Sequence, residues 1–285
     1  MLKIKSLLAI GVIVAAVMMG GCGETQHEST AYYAPNWMPD GRIICYKDVS
    51  RWSDAIWGRN DLGYKGYITA MSVDGTNEVD LFEISPGYAE MVCSPVGEKI
   101  AVYFPGYSEG ISIYDYKGNK TDILTGEGAN SADWSPDGTK IAYIYNRKLC
   151  VINSDGTNKT QLSSEAWGQV SWREINSIVY DFLYVIGPDG TNNRYLAYGG
   201  DGQITKDNYV VYTTGTATPG IKEVRKISLD GTGDISVFYN YKRTTLKLSF
   251  DNTKIGGGDL ETGGGSWIRG IWVRNIDGTG EKKLR

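Results

Sequence analysis

The sequence predicts an all-β chain folded as a single six-bladed β-propeller of four-stranded antiparallel blades. Three observations predict it. Two phrases alternate strictly along the chain, in six copies each. Every copy is centred on turn-forming residues between short apolar runs. A phrase pair recurs about every 40 residues, the length of one four-stranded blade, and such blades pack radially because none can bury its own faces alone.

The first phrase reads WMPDGRIICY from Trp37, CSPVGEKIAVY from Cys93, WSPDGTKIAY from Trp134 and WREINSIVY from Trp172, with fainter copies ITKDNYVVY from Ile204 and LSFDNTKIGG from Leu248. The second is an apolar residue, Asp-Gly-Thr and a short strand. It appears as MSVDGTNEVDL, INSDGTNKTQL, IGPDGTNNRYL, ISLDGTGDISVF and NIDGTGEKKL, with YDYKGNKTDIL as a degraded copy. Asp-Gly between apolar runs is the strongest short-range hairpin signal, since both residues tolerate the positive φ of tight turns. Runs such as Ile141–Ile144 and Leu149–Ile152 supply the strands between the turns. The predicted propeller spans residues 32–285, and its last repeat carries its own outer strand at Glu281–Arg285, which predicts ring closure by packing rather than strand exchange.

These phrases resemble the TolB-type (WD40-like) propeller repeat of bacterial periplasmic proteins, in which W-S-P-D-G precedes one strand and D-G-T another. The resemblance implies the fold and an envelope setting. It does not single out a function, because this repeat serves unrelated roles. It covers the propeller and not the α/β domain that precedes it in TolB, for which the nine residues after Cys22 leave no room.

Residues 1–21 have the pattern of a bacterial signal peptide: Lys3 and Lys5 precede an apolar run from Leu7 to Met19, shorter than the ~20 residues that span a bilayer. The run ends in Met-Gly-Gly-Cys, which resembles a lipobox and implies lipidation of Cys22. Residues 22–31 are then the lipidated cysteine and a polar tether, and the chain is expected in the bacterial cell envelope, on the periplasmic side of the outer membrane or at the cell surface. Loss of Lys3 and Lys5 takes the formal net charge from −4 to about −6, mild acidity that serves solubility. It offers no footprint for nucleic acid, and membrane contact is expected through the lipid alone. Cys45, Cys93 and Cys150 are odd in number, have no metal-like spacing, and stand where sister repeats carry apolar residues; buried free thiols are expected.

Blade geometry sorts the turns. With strands A to D running outward, the A–B and C–D turns share one face and the B–C and D–A connections the other. Both repeated phrases fall on the first face, as scaffold. The B–C connections vary: a long loop over Lys47–Gly66 in blade 1, Pro105–Gly110 in blade 2, almost nothing in blades 3 and 4, Thr213–Gly220 in blade 5 and Gly256–Trp267 in blade 6. Long loops on a rigid scaffold are where binding concentrates. The candidate binding residues are therefore Arg51, Trp52, Asp54, Trp57 and Tyr64, followed by Tyr107, Asp259, Glu261 and Trp267. The alternative for Trp52 and Trp57 is that they fold back and cap blade 1.

Other chemistry finds little support. Gly106-Tyr-Ser-Glu-Gly110 matches a serine-hydrolase elbow but joins two strands, and the one histidine, His27, stands in the tether. A lone histidine disfavours His-based acid–base catalysis, His-ligated metals, and the propeller lyases that resemble this repeat and use histidine at a metal centre. No phosphate-binding glycine motif or complete calcium loop occurs, so no cofactor or metal is expected. Glu90 and Asp133, ahead of innermost strands, could face the axial channel as a carboxylate pair. Three readings follow, in order: a lipid-anchored, non-catalytic protein–protein interaction module using the loop-rich face, a glycan- or cell-wall-binding lipoprotein, and a carboxylate-based enzyme.

Overall fold

A computed structural model describes residues 25–55, 58–85, 87–217, 221–241, 246–263 and 266–284, with the side chains of 55, 58–59, 240–241, 259–263 and 266–270 outside the description. The signal segment, Cys22 and Trp57 lie outside the described residues. Among those described, every regular element is a strand. Blade 1 comprises β1 (Gln26–Trp37), β2 (Ile43–Ala55), β3 (Gly58–Met71) and β4 (Val79–Ile84). Blade 2 comprises β5 (Glu90–Cys93), β6 (Lys99–Tyr103), β7 (Ile111–Asp115) and β8 (Lys120–Leu124). Blade 3 comprises β9 (Ser131–Trp134), β10 (Lys140–Tyr145), β11 (Lys148–Asn153) and β12 (Thr160–Ser163). Blade 4 comprises β13 (Gln169–Glu174), β14 (Ser177–Asp181), β15 (Tyr184–Ile186) and β16 (Arg194–Tyr195). Blade 5 comprises β17 (Gly200–Ile204), β18 (Tyr209–Gly215), β19 (Lys222–Ser228) and β20 (Ile235–Tyr241). Blade 6 comprises β21 (Lys247–Leu248), β22 (Lys254–Gly263), β23 (Ser266–Asn275) and β24 (Lys282–Lys283). Each blade is an antiparallel sheet in sequence order.

The first strands of neighbouring blades touch around the whole ring, β21 reaching β1, so these strands are innermost. Blade 6 completes itself with β24, and the ring closes without strand exchange. The core is divided into six clusters, one at each seam between blades. A blade buried on both faces needs continuous rather than alternating apolar runs, and Ile141-Ala142-Tyr143-Ile144 is such a run, wholly buried. The phrase tryptophans bolt the seams. Trp134 Nε1 donates to Val92 O of the preceding blade at 3.0 Å, and Trp37 Nε1 donates to Lys247 O of blade 6 at 2.9 Å. Cys45, Cys93 and Cys150 are free and buried, and burial pushes the Cys93 thiol up to about 12, which keeps it from forming a reactive thiolate.

The turns explain the repeats. In blade 3, Gly138 N donates to Ser135 O at 2.9 Å and Ser135 Oγ donates to Asp137 at 2.6 Å. Gly138 adopts φ +67, and a Cβ there would lie 2.3 Å from Val96 Cγ2 of blade 2, so only glycine fits both the turn and the seam. In each Asp-Gly-Thr turn the aspartate accepts from the threonine amide and hydroxyl two residues on, as at Asp155–Thr157 (2.9 and 2.6 Å). Ser154 N donates to Thr139 O and Ile276 N to Thr253 O, which places both phrases on one face. On the other face Ala166 N donates to Arg147 O and Leu196 N to Leu183 O.

Hydrogen bonds from the threonine hydroxyl and then its amide hold Asp74, Asp155 and Asp230 below the usual carboxylate range. At Asp189 and Asp277 the amide leads and the hydroxyl follows. A lowered folded-state pKa stabilises above the unfolded value of about 3.9 and is lost as pH falls through the folded value. The melting temperature is therefore expected to fall progressively below about pH 4. The Asp155→Asn variant, which keeps the shape without the titration, should show a shallower fall in melts recorded between pH 5 and pH 2.

Three expectations need correction. Lys47–Gly66 is not a loop: β2 and β3 continue as paired strands, with Val49 opposite Lys65 and Ser53 opposite Asn60. Residues 26–31, assigned above to the tether, are strand instead and pair with β2, His27 opposite Trp52 and Ala31 opposite Asp48. Blade 1 thus carries a three-stranded arm beyond the body of the blade. In blade 6, likewise, Gly256–Gly263 and Ser266–Trp267 belong to the paired strands β22 and β23. The physical reason is backbone satisfaction: an extension this long has its amides and carbonyls answered within a sheet.

Candidate functional site

The arm separates the residues that the sequence grouped. Successive side chains of a strand point to opposite faces, so Arg51 lies on the face opposite Trp52 and Asp54. Arg51 Nε donates to Glu28 at 2.6 Å. Trp52 stacks on His27 with ring centroids 5.5 Å apart, and His27 Nε2 is bonded to Asp54 at 2.8 Å. These three residues meet partners on β1 and buttress the arm. Tyr64, opposite Ser50, is 51% exposed; desolvation of its hydroxyl and the neighbouring Asp48 carboxylate push it up to about 12. From Asn60 to Lys65 every residue of β3 is exposed, including Leu62 at 48%. Tyr107 is exposed in the B–C connection of blade 2. Asp259 and Glu261 fall in β22 and Trp267 in β23, and their side chains lie outside the description.

The same face carries a second feature, between the short B–C connection of blade 4 and the longer one of blade 5. A cleft of about 360 Å³ lies between blades 4 and 5, lined among others by Asp181, Phe182, Tyr198, Asp201, Thr214 and Lys222. Its floor is a bonded cluster: Asp201 accepts from Lys222 Nζ at 2.8 Å, Thr213 Oγ1 at 3.0 Å and Gln169 Nε2 at 3.2 Å. Asp181 Oδ1 accepts from the amides of Trp167 (3.1 Å) and Gly168 (3.0 Å). Phe182 stands at the tip of the β14–β15 turn between Asp181 at φ +56 and Leu183 at φ +67. Leu183 is fully buried, whereas Phe182 is 55% exposed, Trp167 57% and Tyr198 78%. Loop length pointed to one wall of this cleft, at Thr213–Gly215, and not to the other. Aromatics placed within turns, as in Trp167-Gly168 and Tyr198-Gly199-Gly200, are the signal that points to it.

The inward carboxylates are occupied. Asp133 Oδ1 accepts from Trp134 N at 3.0 Å and Oδ2 from Trp172 N at 2.9 Å, tying blade 3 to blade 4. Glu90 accepts from Tyr88 Oη at 2.5 Å. Among the described residues no three His, Cys, Asp or Glu side chains gather as a metal site.

No family model matches the chain, and no curated protein matches it. Solved structures do. An oligogalacturonate lyase in complex with manganese superposes with a TM-score of 0.56 at 10% identity, over 96% of this chain and 84% of that one. A structure of the nidogen/laminin complex superposes with a TM-score of 0.62 at 12% identity, over 78% and 90%. TolB from Acinetobacter baumannii overlays more loosely, with a TM-score of 0.39 at 11% identity over 87% and 52%. The blades and the first two superpositions define the class, a six-bladed β-propeller. Likeness at such identities carries the fold and nothing of the neighbours' activities.

Proposed function

We propose that the chain is a lipid-anchored propeller of the bacterial cell envelope that acts as a non-catalytic protein–protein interaction module, its working surface being the face that bears the arm. The observation that carries this reading is the unbroken exposure of Asn60–Lys65. A strand that displays Leu62 at a register shift and Tyr64 opposite Ser50, with its flanking residues paired in a sheet, offers an apolar contact on a preorganised support, the arrangement from which binding hot spots are made. The lipobox-like Met19–Cys22 supports the envelope location. The binding of both Asp133 oxygens to backbone amides supports a structural part for that carboxylate.

The test is a crosslinking pull-down from envelope fractions with the full chain and with the double variant Leu62→Asp/Tyr64→Asp. Both side chains are exposed, and Tyr64→Asp sets a second carboxylate beside Asp48, so the variant is expected to fold with a modestly lowered melting temperature and to lose the captured partner. Capture undiminished by the double variant would sink the assignment of the arm.

A further inference from the structure

We propose that the cleft between blades 4 and 5 is a saccharide site that takes a short, uncharged oligosaccharide. It is a second site on the arm-bearing face and does not depend on what the arm binds.

The aromatics are the first argument. Phe182 and Tyr198 line the cleft from two separate connections, β14–β15 and β16–β17, and Trp167 of the β12–β13 connection adjoins it, its amide held by Asp181; all three rings are exposed. Leaving apolar rings in water forgoes the free energy of burying them, and these rings are held out rather than left loose. The Arg147 guanidinium lies 3.7 Å from the Trp167 ring centroid and covers one of its faces. Phe182 cannot exchange places with Leu183, which is locked into the seam cluster with Val179, Ile204 and Tyr212. A leucine at positive φ is strained, and backbone strain of that kind persists where the surrounding structure over-determines it, commonly at ligand sites.

The polar groups supply the second argument. With Asp181 Oδ1 fixed by two amides, the carboxylate is oriented, and Oδ2 has no protein partner to share with a ligand hydroxyl. Thr214 and Lys222 add donors along the same wall. Charge then narrows the class. Lys222 is neutralised by Asp201, and with Asp181 the lining carries one more carboxylate than cation, which disfavours a phosphate, an acidic peptide or a uronate chain; the Arg147 guanidinium is outside that lining, turned onto Trp167. Flat rings beside fixed hydroxyl-binding groups suit a pyranose, which presents apolar C–H faces and a rim of hydroxyls. The volume falls in the range of small-ligand sites.

The test titrates the full chain with chitotriose, cellotriose and trigalacturonate, followed by tryptophan fluorescence and calorimetry. At least one uncharged trisaccharide is expected to bind, with trigalacturonate weaker. Tyr198→Ala and Trp167→Ala should each weaken binding about tenfold with melting temperatures unchanged, and Phe182→Ala gives a third readout. The arm variant Leu62→Asp/Tyr64→Asp should bind sugar normally, which separates this site from the arm. Failure of both uncharged probes to bind, tighter binding of trigalacturonate, or binding indifferent to all three aromatic variants would overturn the proposal. So would Tyr198-dependent capture of an envelope protein in the absence of sugar binding.

Discussion

Replacing Trp37 with alanine is expected to lower stability by about 3–5 kcal/mol, read as a shift of the urea midpoint, and to do so by opening the ring. Trp37 is 2% exposed and sits in the cluster where Ile43, Cys45 and Met71 of blade 1 meet Ile271, Val273 and Leu284 of blade 6. Its indole also donates across the seam to Lys247 O, and Gly256 of blade 6 approaches so closely that a Cβ there would lie 3.2 Å from the indole nitrogen. With no strand exchanged between first and last blades, packing of this kind holds the two together, helped by Lys282 Nζ donating to Asp74 O at 2.9 Å. Trp37→Phe keeps most of the apolar contact and leaves one buried carbonyl unpaired, so its cost should be about 1–3 kcal/mol. Wild-type midpoints for both variants would show that the indole bond and bulk of Trp37 do not hold the seam.

Trp37 also illustrates what the sequence exposes and what it conceals. The fold was legible because tight turns are chemically demanding: Asp to accept from the residue two ahead, Gly for positive φ, and Thr to answer the Asp. A ring of six blades states those demands six times over. The arm was concealed for the opposite reason. A strand exposed on both faces, such as Asn60–Lys65, has no apolar alternation, so NDLGYK resembles loop in composition although it lies within the paired strand β3. Trp52 and Asp54 stand out in the sequence as candidate binding residues, but their partner His27 lies in a segment whose polar composition reads as tether. The cleft was concealed more deeply still. Its aromatics lie 15 and 16 residues apart at Trp167, Phe182 and Tyr198, each in a short turn with no compositional bias of its own. Only the curvature of the ring brings Phe182 and Tyr198 to one cleft with Trp167 beside it, and loop length pointed to Thr213–Gly220 on its blade 5 side while passing over the short turns of blade 4.

Asp133→Ala is expected to cost about 2–4 kcal/mol, and the reason separates a structural carboxylate from a chemical one. Both oxygens of Asp133 are committed to backbone amides, one of its own neighbour Trp134 and one of Trp172 on the next blade. Alanine leaves two amides without an acceptor, and an unsatisfied buried donor costs about 1–3 kcal/mol. The same kind of bond recurs around the axis: Ser131 Oγ accepts from Val170 N at 3.0 Å, Ser171 Oγ from Ile204 N at 3.2 Å, and Asn36 Nδ2 donates to Met91 O at 2.8 Å. Inner strands of adjacent blades are too far apart to form a common ladder, so side chains carry the hydrogen bonds from blade to blade. Asp133→Asn retains a single oxygen and turns an amide donor toward the second N–H, so its stability should fall between wild type and alanine. The order wild type, Asn, Ala in urea midpoint supports the bolt. A wild-type midpoint for Asp133→Asn, coupled with loss of any hydrolytic or lytic activity on envelope polysaccharide, would return this carboxylate to chemistry.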